Sequence, residues 1–326
     1  MTTSGTYVFT VNRDQIIRDA MLNIGKLDDT EIPTAQEVSD CNFKLNCLVK
    51  QWMGKTDFAP GLKVWKRRRG YLFLSSATGQ YSIGQTSYAT PNGTGWTNSF
   101  TQTTVAVKAI IGAGSVTVSG AAAAGLVLGS TVGIILGTND LNWFKATNVV
   151  GNVVTLSGTL DEVANVGATV YVYQAQGTQP LTVETATLRD SNNSDTPLKI
   201  MTVQEYDFLP NKADPTNISD PTAIYYEFQL GNSNLFTDCG AANDTTKYLS
   251  LTYLEAVQDI VNPADNFVYP QEWFLALSFG LAKIIAPMFN APWTANLESA
   301  HAMALSIAGH KDPERSSMYF QTGGEE

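Results

Sequence analysis

The chain has 326 residues, of which 44% are apolar and 15% are charged, and its formal net charge is −10. This length and apolar content suffice for a sizeable core and exclude an intrinsically disordered protein. The acidic balance argues against a general nucleic-acid-binding protein, because such proteins neutralise phosphates with Lys and Arg.

Two helices folded into a hairpin are predicted for residues 12–54. Asn12 with Gln15, and Thr34 with Glu37, are capping-box pairs at the two helix starts. Apolar residues then recur along one face of each helix, which is typical of helices that pack on a core. The glycines expected to end the two helices are Gly25 and Gly54.

The second helix also carries apolar residues opposite its main apolar stripe. At about 100° per residue, Phe43 and Cys47 fall on that opposite side, whereas Cys41 belongs to the stripe. We therefore expect Phe43 and Cys47 to contact a neighbouring subunit. The alternative is a phenylalanine sheltered by a loop, since isolated exposed apolar residues are common. Because the chain has three cysteines and two of them point apart, we expect free thiols and assembly in a reducing compartment.

A basic stretch follows the hairpin. Five of the seven residues from Lys63 to Arg69 are basic, and the aromatic and branched residues around them predict an extended ribbon that turns near Gly70. The stretch either grips an acidic partner or a phosphate, or is a strand edge protected by its charge. Its candidate interface residues are Arg67, Arg68 and Arg69.

Short branched runs divided by glycines predict a small all-β domain, a barrel or a sandwich, inserted in the chain. The runs are 105–111, 115–119, 131–136, 143–150, 153–156 and 169–173, and Gly151-Asn152 is a tight-hairpin signal. Aromatic residues on such a domain either stack on sugars or fill its core. We assign Trp143 to the core and leave Trp96 open between the two roles.

The chain after Pro180 predicts strands over 182–188, 222–229 and 248–254, and a short helix that starts at a Thr202–Glu205 capping box. These strands should resume a sheet that the insertion interrupts.

The last third of the chain is predicted to be helical. Residues 273–289 are apolar on nearly all sides, but the run is short and contains Lys283, so we expect a buried core helix and no membrane span. A final helix should point Leu297, Ala304 and Ile307 inward and end at Gly309. Residues 310–326 should be a flexible tail.

The usual catalytic motifs of nucleotide-binding proteins, metalloproteases and serine hydrolases do not occur in the sequence. With two histidines, His301 and His310, and no CxxC pair, neither a catalytic triad nor a metal site is indicated. A pair of carboxylates from distant positions remains open. Asp190 and Asp195 are better explained as turn residues. We therefore expect no enzyme activity, cofactor or metal.

Together these patterns predict an α+β protein with a discontinuous helical bundle from both chain ends, a β-sheet portion and the inserted β domain. The predicted divisions are 1–100 and 179–309 for the two parts of the main domain, 101–178 for the insertion, and 310–326 for the tail.

Several short segments keep a characteristic order along the chain. They are Arg13-Asp14-Gln15-Ile16-Ile17 to Gly25, Leu45-Asn46-Cys47-Leu48 to Gln51-Trp52, Trp65, Tyr81-Ser82-Ile83-Gly84, Glu205-Tyr206, Asn211-Lys212, Pro270-Gln271-Glu272-Trp273, Leu281-Ala282 and Ala286-Pro287. In order and spacing they resemble the head-to-tail adaptor family of tailed bacteriophages, the connectors of short-tailed phages that include tail tubular protein A. The resemblance covers most of the chain outside the insertion.

The resemblance implies a virion structural protein assembled in the host cytoplasm as a ring, usually a dodecamer, below the portal protein. The ring would continue the DNA channel used in ejection, without specific DNA binding, and would dock a tail nozzle or tail fibres. The C-terminal tail would order against the portal, which makes His310, Arg315, Tyr319 and Phe320 candidate interface residues. The alternatives are a virion-associated glycan binder or cell-wall hydrolase, centred on the β domain, and a tail-fibre adaptor without a ring.

Overall fold

The computed structural model describes residues 9–53, 55–56, 59–60, 66–84, 95–212, 214, 216–257, 259–263, 265 and 269–310. The chain is mixed α+β, as predicted, and forms two compact units. The helical unit comprises Met1–Lys66 and Ala256–Glu326, and the β unit comprises Arg67–Glu255.

Five α-helices lie in the described part of the chain: α1 (Arg13–Asn23), α2 (Ala35–Met53), α3 (Val203–Asp207), α4 (Phe274–Ile285) and α5 (Ala295–His310). All except α3 belong to the helical unit, together with a two-stranded ribbon of β1 (Lys55–Thr56) and β2 (Ala59–Pro60). Short 3₁₀ turns at Gln271–Trp273 and Ala286–Phe289 flank α4.

The predicted helix starts are confirmed. Asn12 and Gln15 exchange side-chain and backbone hydrogen bonds at α1, and Thr34 and Glu37 do the same at α2. Gly25 has a φ of +68°, the left-handed conformation in which its missing Cβ removes the steric penalty. The position of Gly54 lies outside the described residues.

Helix α4 is the centre of the helical unit and contacts α1, α2 and α5. Trp273, Leu277, Leu281 and Ile285 are all buried in one core with residues from both chain ends. Within the described residues, the segment Gln271–Phe289 alone is long and apolar enough to cross a membrane. Its burial among the other helices is that of a core helix.

The predicted inner face of α5 is partly wrong. Ala304 and Ala308 are buried, whereas Ile307 is 48% exposed. Residues 297, 301, 304 and 308 follow the helical repeat that keeps one face toward the core, and position 307 falls beside that face. The helix also extends through His310, one residue beyond the predicted end.

The β unit contains a five-stranded sheet in the order β13-β12-β19-β3-β5 and a four-stranded sheet in the order β14-β16-β17-β4. The strands of the first are β3 (Arg67–Phe73), β5 (Trp96–Thr97), β12 (Pro180–Arg189), β13 (Asp195–Pro197) and β19 (Tyr248–Glu255). Those of the second are β4 (Gln80–Ile83), β14 (Lys199–Met201), β16 (Ala223–Glu227) and β17 (Ser233–Thr237). A short parallel pair joins β15 (Ile218–Ser219) to β18 (Ala241–Ala242).

The β domain predicted for 101–178 forms a closed six-stranded barrel in the order β10-β7-β6-β11-β8-β9, so the barrel alternative is confirmed. Its strands are β6 (Thr101–Val107), β7 (Ser115–Val118), β8 (Thr131–Ile135), β9 (Leu141–Val150), β10 (Val153–Leu156) and β11 (Thr169–Tyr173). Five of these strands coincide closely with predicted runs, whereas β6 overlaps the run 105–111 only at 105–107, because the strand ends at Val107. Gly151 has a φ of +58° in the tight turn between β9 and β10.

An aromatic cluster packs the barrel against the five-stranded sheet. Phe73 of β3 has its ring 4.6 Å from that of Tyr171 and 5.1 Å from that of Trp143, both in the barrel. Tyr173 and Tyr248 complete the buried part of the cluster. Trp143 is therefore a core residue, as predicted.

The predicted turn near Gly70 is wrong, because Gly70 lies inside strand β3. Trp96, whose role the sequence left open, is buried and lies against this glycine, so that a Cβ at position 70 would be 2.1 Å from its ring. The glycine therefore serves close packing within a strand.

Candidate functional site

The outer side of α2 is the candidate assembly surface. It is an exposed stripe along the helix, with Phe43 and Cys47 at its middle, and Phe43 is 65% exposed. The exposed residues of the stripe are Gln36, Ser39, Asp40, Phe43, Cys47, Lys50 and Gln51. The predicted position of Phe43 and Cys47 opposite the core is therefore confirmed, and their contact with a neighbouring subunit stays a prediction.

The opposite side of α2 holds the helix firmly in the core. Leu45 and Val49 are fully buried, and the Trp52 ring lies 5.7 Å from that of Trp273. Gly280 of α4 admits this close approach, since a Cβ there would lie 3.0 Å from the Trp52 ring. A helix fixed in this way presents its outer stripe without rearrangement.

A second chain segment is bound along the flank of α2. The Asn46 side chain donates to the Ile260 carbonyl and accepts from the Ile260 amide, both at 2.9 Å. Lys50 Nζ donates to the Val257 carbonyl at 2.7 Å and pairs with Asp259 at 2.6 Å. The bound segment therefore lies along one edge of the exposed stripe. The ammonium group of Lys50 is engaged by this segment.

The cysteines of α2 have opposite environments. Cys41, Cys47 and Cys239, all within the described residues, are free thiols. Burial, with smaller contributions from Asp40 and Glu37, raises the pKa of Cys41 to about 11. Cys47 is exposed, so its thiol is the accessible one on this helix.

Two of the five cations of the basic stretch are paired with carboxylates inside the β unit. Arg67 pairs with Glu184 at 2.5 Å, and Arg68 pairs with Glu255 at 3.1 Å. Arg69 is exposed on β3, and its carbonyl accepts a hydrogen bond from Asn98. These pairs favour the interpretation of a charged strand over that of a phosphate-binding site.

The tail residues predicted to contact the portal are not brought to a site. His310 is the last residue of α5. Arg315, Tyr319 and Phe320 lie outside the described residues. Their roles stay predictions.

Carboxylates and an aromatic residue do meet at one polar cavity of about 260 Å³ in the β unit. Its walls include Asp140, Asp161, Glu162 and Trp143. Asp161 accepts from the Asn142 amide at 2.5 Å, and a Glu162 oxygen accepts from the backbone and hydroxyl of Thr138. The Trp143 ring is packed in the aromatic cluster and is not free to stack on a sugar. The arrangement is explained by loop structure.

Asp190 is a turn residue, as predicted, whereas the turn prediction is wrong for Asp195, which begins strand β13 opposite Arg189. A carboxylate oxygen of Asp190 accepts from the amides of Asn192 and Ser194. Hydrogen bonding from Arg189 lowers the pKa of Asp195, with a smaller contribution from Arg69. Among the described residues, no three His, Cys, Asp or Glu side chains are grouped as a metal site requires.

Sequence reasoning missed an aromatic stack at the segment 205–212. The ring of Tyr206 lies 5.1 Å from that of Tyr225, which lies 5.7 Å from that of Phe236. Lys212 Nζ is 4.4 Å from the Tyr206 ring centre and donates to the Tyr206 carbonyl at 2.8 Å. Tyr225 and Phe236 lie opposite each other on β16 and β17. Such a pair can be predicted only when the register of the two strands is known.

No protein-family model matches the sequence, and no curated protein sequence matches it significantly. The resemblance in the order of segments and the geometry of α2 are therefore the support for a functional proposal.

Proposed function

We propose that the protein is a virion structural protein, the head-to-tail adaptor of a short-tailed bacteriophage, which forms a ring below the portal. The observation that carries the proposal is the exposed Phe43 and Cys47 stripe on a helix whose other side is locked in a core. A rigid helix with a large apolar side chain at the middle of its outer face suits a repeated subunit contact, because aromatic anchors dominate such interfaces. The order of segments that resembles the adaptor family supports the same function.

In the proposed ring, copies meet through the outer side of α2 and enclose the DNA channel. The formal charge of −10 per copy suits a channel along which DNA slides without binding, since like charges repel. The portal protein binds on one side, and a tail nozzle or tail fibres dock on the other. The C-terminal tail, with Arg315, Tyr319 and Phe320, orders against the portal.

The finer architecture belongs to the same proposal. The four helices from both chain ends make up a discontinuous bundle that builds the ring, and the barrel is an insertion that faces the tail components. The aromatic packing of Phe73 with Trp143 and Tyr171 supports a barrel held in a fixed orientation on its sheet, as a docking element requires.

The test is native mass spectrometry of the full chain, alone and mixed with the portal protein from the same genome. A closed oligomer that forms with the portal, seen as a ring by particle imaging, is the expected result. A protein that stays monomeric and separate from the portal contradicts the proposal.

A cell-wall hydrolase is the second candidate, because carboxylates and Trp143 line one cavity. Peptidoglycan release by the purified protein, abolished in Asp161→Asn and Glu162→Gln but retained in Asp190→Asn, would favour it. We expect no release by any of these proteins, since the cavity carboxylates are held by loop hydrogen bonds.

A further inference from the structure

An apolar groove of about 530 Å³ lies between α1 and the start of α4. Val11, Ile16 and Phe274 are buried at its base, while Phe9 is 64% exposed and Leu275 is 62% exposed. Its polar lining residues are Gln15, Arg18, Asp19 and Gln271. Two large apolar side chains exposed beside one groove are typical of a site that receives a short segment with a few apolar anchors.

The C-terminal end of α5 lies at the groove end of the helix pair. Lys283 near the end of α4 pairs with Glu298 near the start of α5 at 2.8 Å, so the two helices run in opposite directions. Gln271 lies twelve residues before Lys283, and His310 lies twelve residues after Glu298. At 1.5 Å per residue each distance is about 18 Å, which places His310 level with Gln271. Consistently, α5 contacts the turn Gln271–Trp273.

The chain continues from this point for sixteen residues, 311–326. Met318, Tyr319 and Phe320 form one apolar triplet in this segment, whose other residues are charged, polar, glycine or proline. From His310 to Met318 there are eight residues, which reach at most about 26–29 Å when extended. This reach exceeds the diameter of one helix, about 10–12 Å, so the triplet can cross the start of α4 to the groove, whose lining includes Gln271.

We propose that the groove between α1 and α4 is the binding site for the chain's own C-terminal segment, with Met318, Tyr319 and Phe320 as its anchors. The segment packs its aromatic side chains against Phe9 and Leu275 while the protein is free. The predicted portal contact of the same segment then requires its release from the groove, a consequence that rests on the proposed function. The groove contact itself does not.

Disulfide cross-linking in the full chain tests the contact. With Cys47→Ser to remove the exposed native thiol, Leu275→Cys is paired with Gln321→Cys, which leaves the triplet intact. The matched control pairs Met303→Cys with Gln321→Cys, because Met303 is equally exposed, at 66%, and lies closer to the tail along the chain. We expect the Leu275 pair to close an intramolecular disulfide at least about tenfold faster than the control.

Equal or faster closure of the Met303 pair would overturn the proposal, since a tail without a binding site favours the nearer position. Disulfides that form between chains, at a rate that rises with concentration, would also overturn it and would assign the groove to a second copy.

A second measurement tests whether the triplet Met318-Tyr319-Phe320 covers Leu275. The labelling rate of Leu275→Cys with a maleimide should rise about tenfold when Tyr319→Asp and Phe320→Asp are added. Ser316→Asp with Ser317→Asp adds the same charge and should leave the rate unchanged. An unchanged rate in the first variant contradicts the proposal, and it would point to residues 1–8 as the cover. Because no portal protein is present, either result leaves the adaptor proposal to its own test.

Discussion

The helical unit and the β unit differ in how they use the side chains that stand out in the sequence. In the β unit, Arg67 and Arg68 are paired with carboxylates, and Trp143 is packed in an aromatic cluster. In the helical unit, Phe43 remains exposed on a helix whose other side is buried. A conspicuous motif can therefore be structural, while a single side chain on the outer face of a plain helix becomes the stronger indication of a contact.

The largest expected difference is between the two thiols of α2. A pKa of about 11 for Cys41, against an ordinary value of 9.0, lowers its thiolate fraction about 100-fold at neutral pH, and burial restricts access further. We expect a maleimide to label Cys47 at least about 100-fold faster than Cys41 in the native protein, as followed by peptide mass spectrometry. Equal labelling rates would show that the two sides of α2 do not differ as described.

Truncating one buried and one exposed side chain compares the core of the helical unit with its surface. Leu281→Ala removes a fully buried side chain and should lower the free energy of unfolding by about 2–5 kcal/mol, as measured by urea denaturation. Met303→Ala, on the neighbouring helix α5 and 66% exposed, should change it by less than about 0.5 kcal/mol. Similar losses in both variants would mean that α4 is not the centre of the core.

In the β unit, the close packing of Gly70 can be tested in the same way. Gly70→Ala places a Cβ 2.1 Å from the Trp96 ring, so overpacking should cost about 1–3 kcal/mol. Gly114→Ala is the matched control, because a Cβ there meets no atom within 4 Å. Thermal unfolding of the two variants should differ accordingly. If Gly70→Ala is as stable as the control, the packing of Trp96 on β3 is not as described.

The smallest effect is expected at the basic stretch. Arg67 and Glu184 are both partly exposed, so a double-mutant cycle with Arg67→Ala and Glu184→Ala should give a coupling of about 0.2–1 kcal/mol. The same cycle with Arg69 in place of Arg67 should give a coupling near zero. A larger coupling for Arg69 than for Arg67 would show that Arg69 forms the structural ion pair and that Arg67 is the residue available for an external contact.

Local signals predicted much of the fold. The capping boxes at Asn12 and Thr34 and five of the six barrel runs depend on neighbours in sequence, and the structure confirms them. The interior role of Gly70 depends on Trp96, twenty-six residues away, and the pairing of Arg67 with Glu184 spans 117 residues. Such partners require the sheet register, which the local pattern does not contain.

The candidate site follows the same division. The outward position of Phe43 and Cys47 comes from helical periodicity alone, so the sequence predicts it. The groove at Phe9 and Leu275 requires the packing of α1 on α4, and the sequence analysis missed it. Leu275 is exposed although its helix is predicted to be buried on nearly all sides. When a helix is apolar all round, its sequence does not indicate which side faces solvent.

The central claim is that the outer side of α2 assembles the ring. The most direct measurement is native mass spectrometry of Phe43→Glu mixed with the portal protein, beside wild type and Met303→Glu, which adds the same charge at another exposed apolar residue of the helical unit. We predict that wild type and Met303→Glu form the closed oligomer and that Phe43→Glu remains a folded monomer. Normal assembly of Phe43→Glu would contradict the claim.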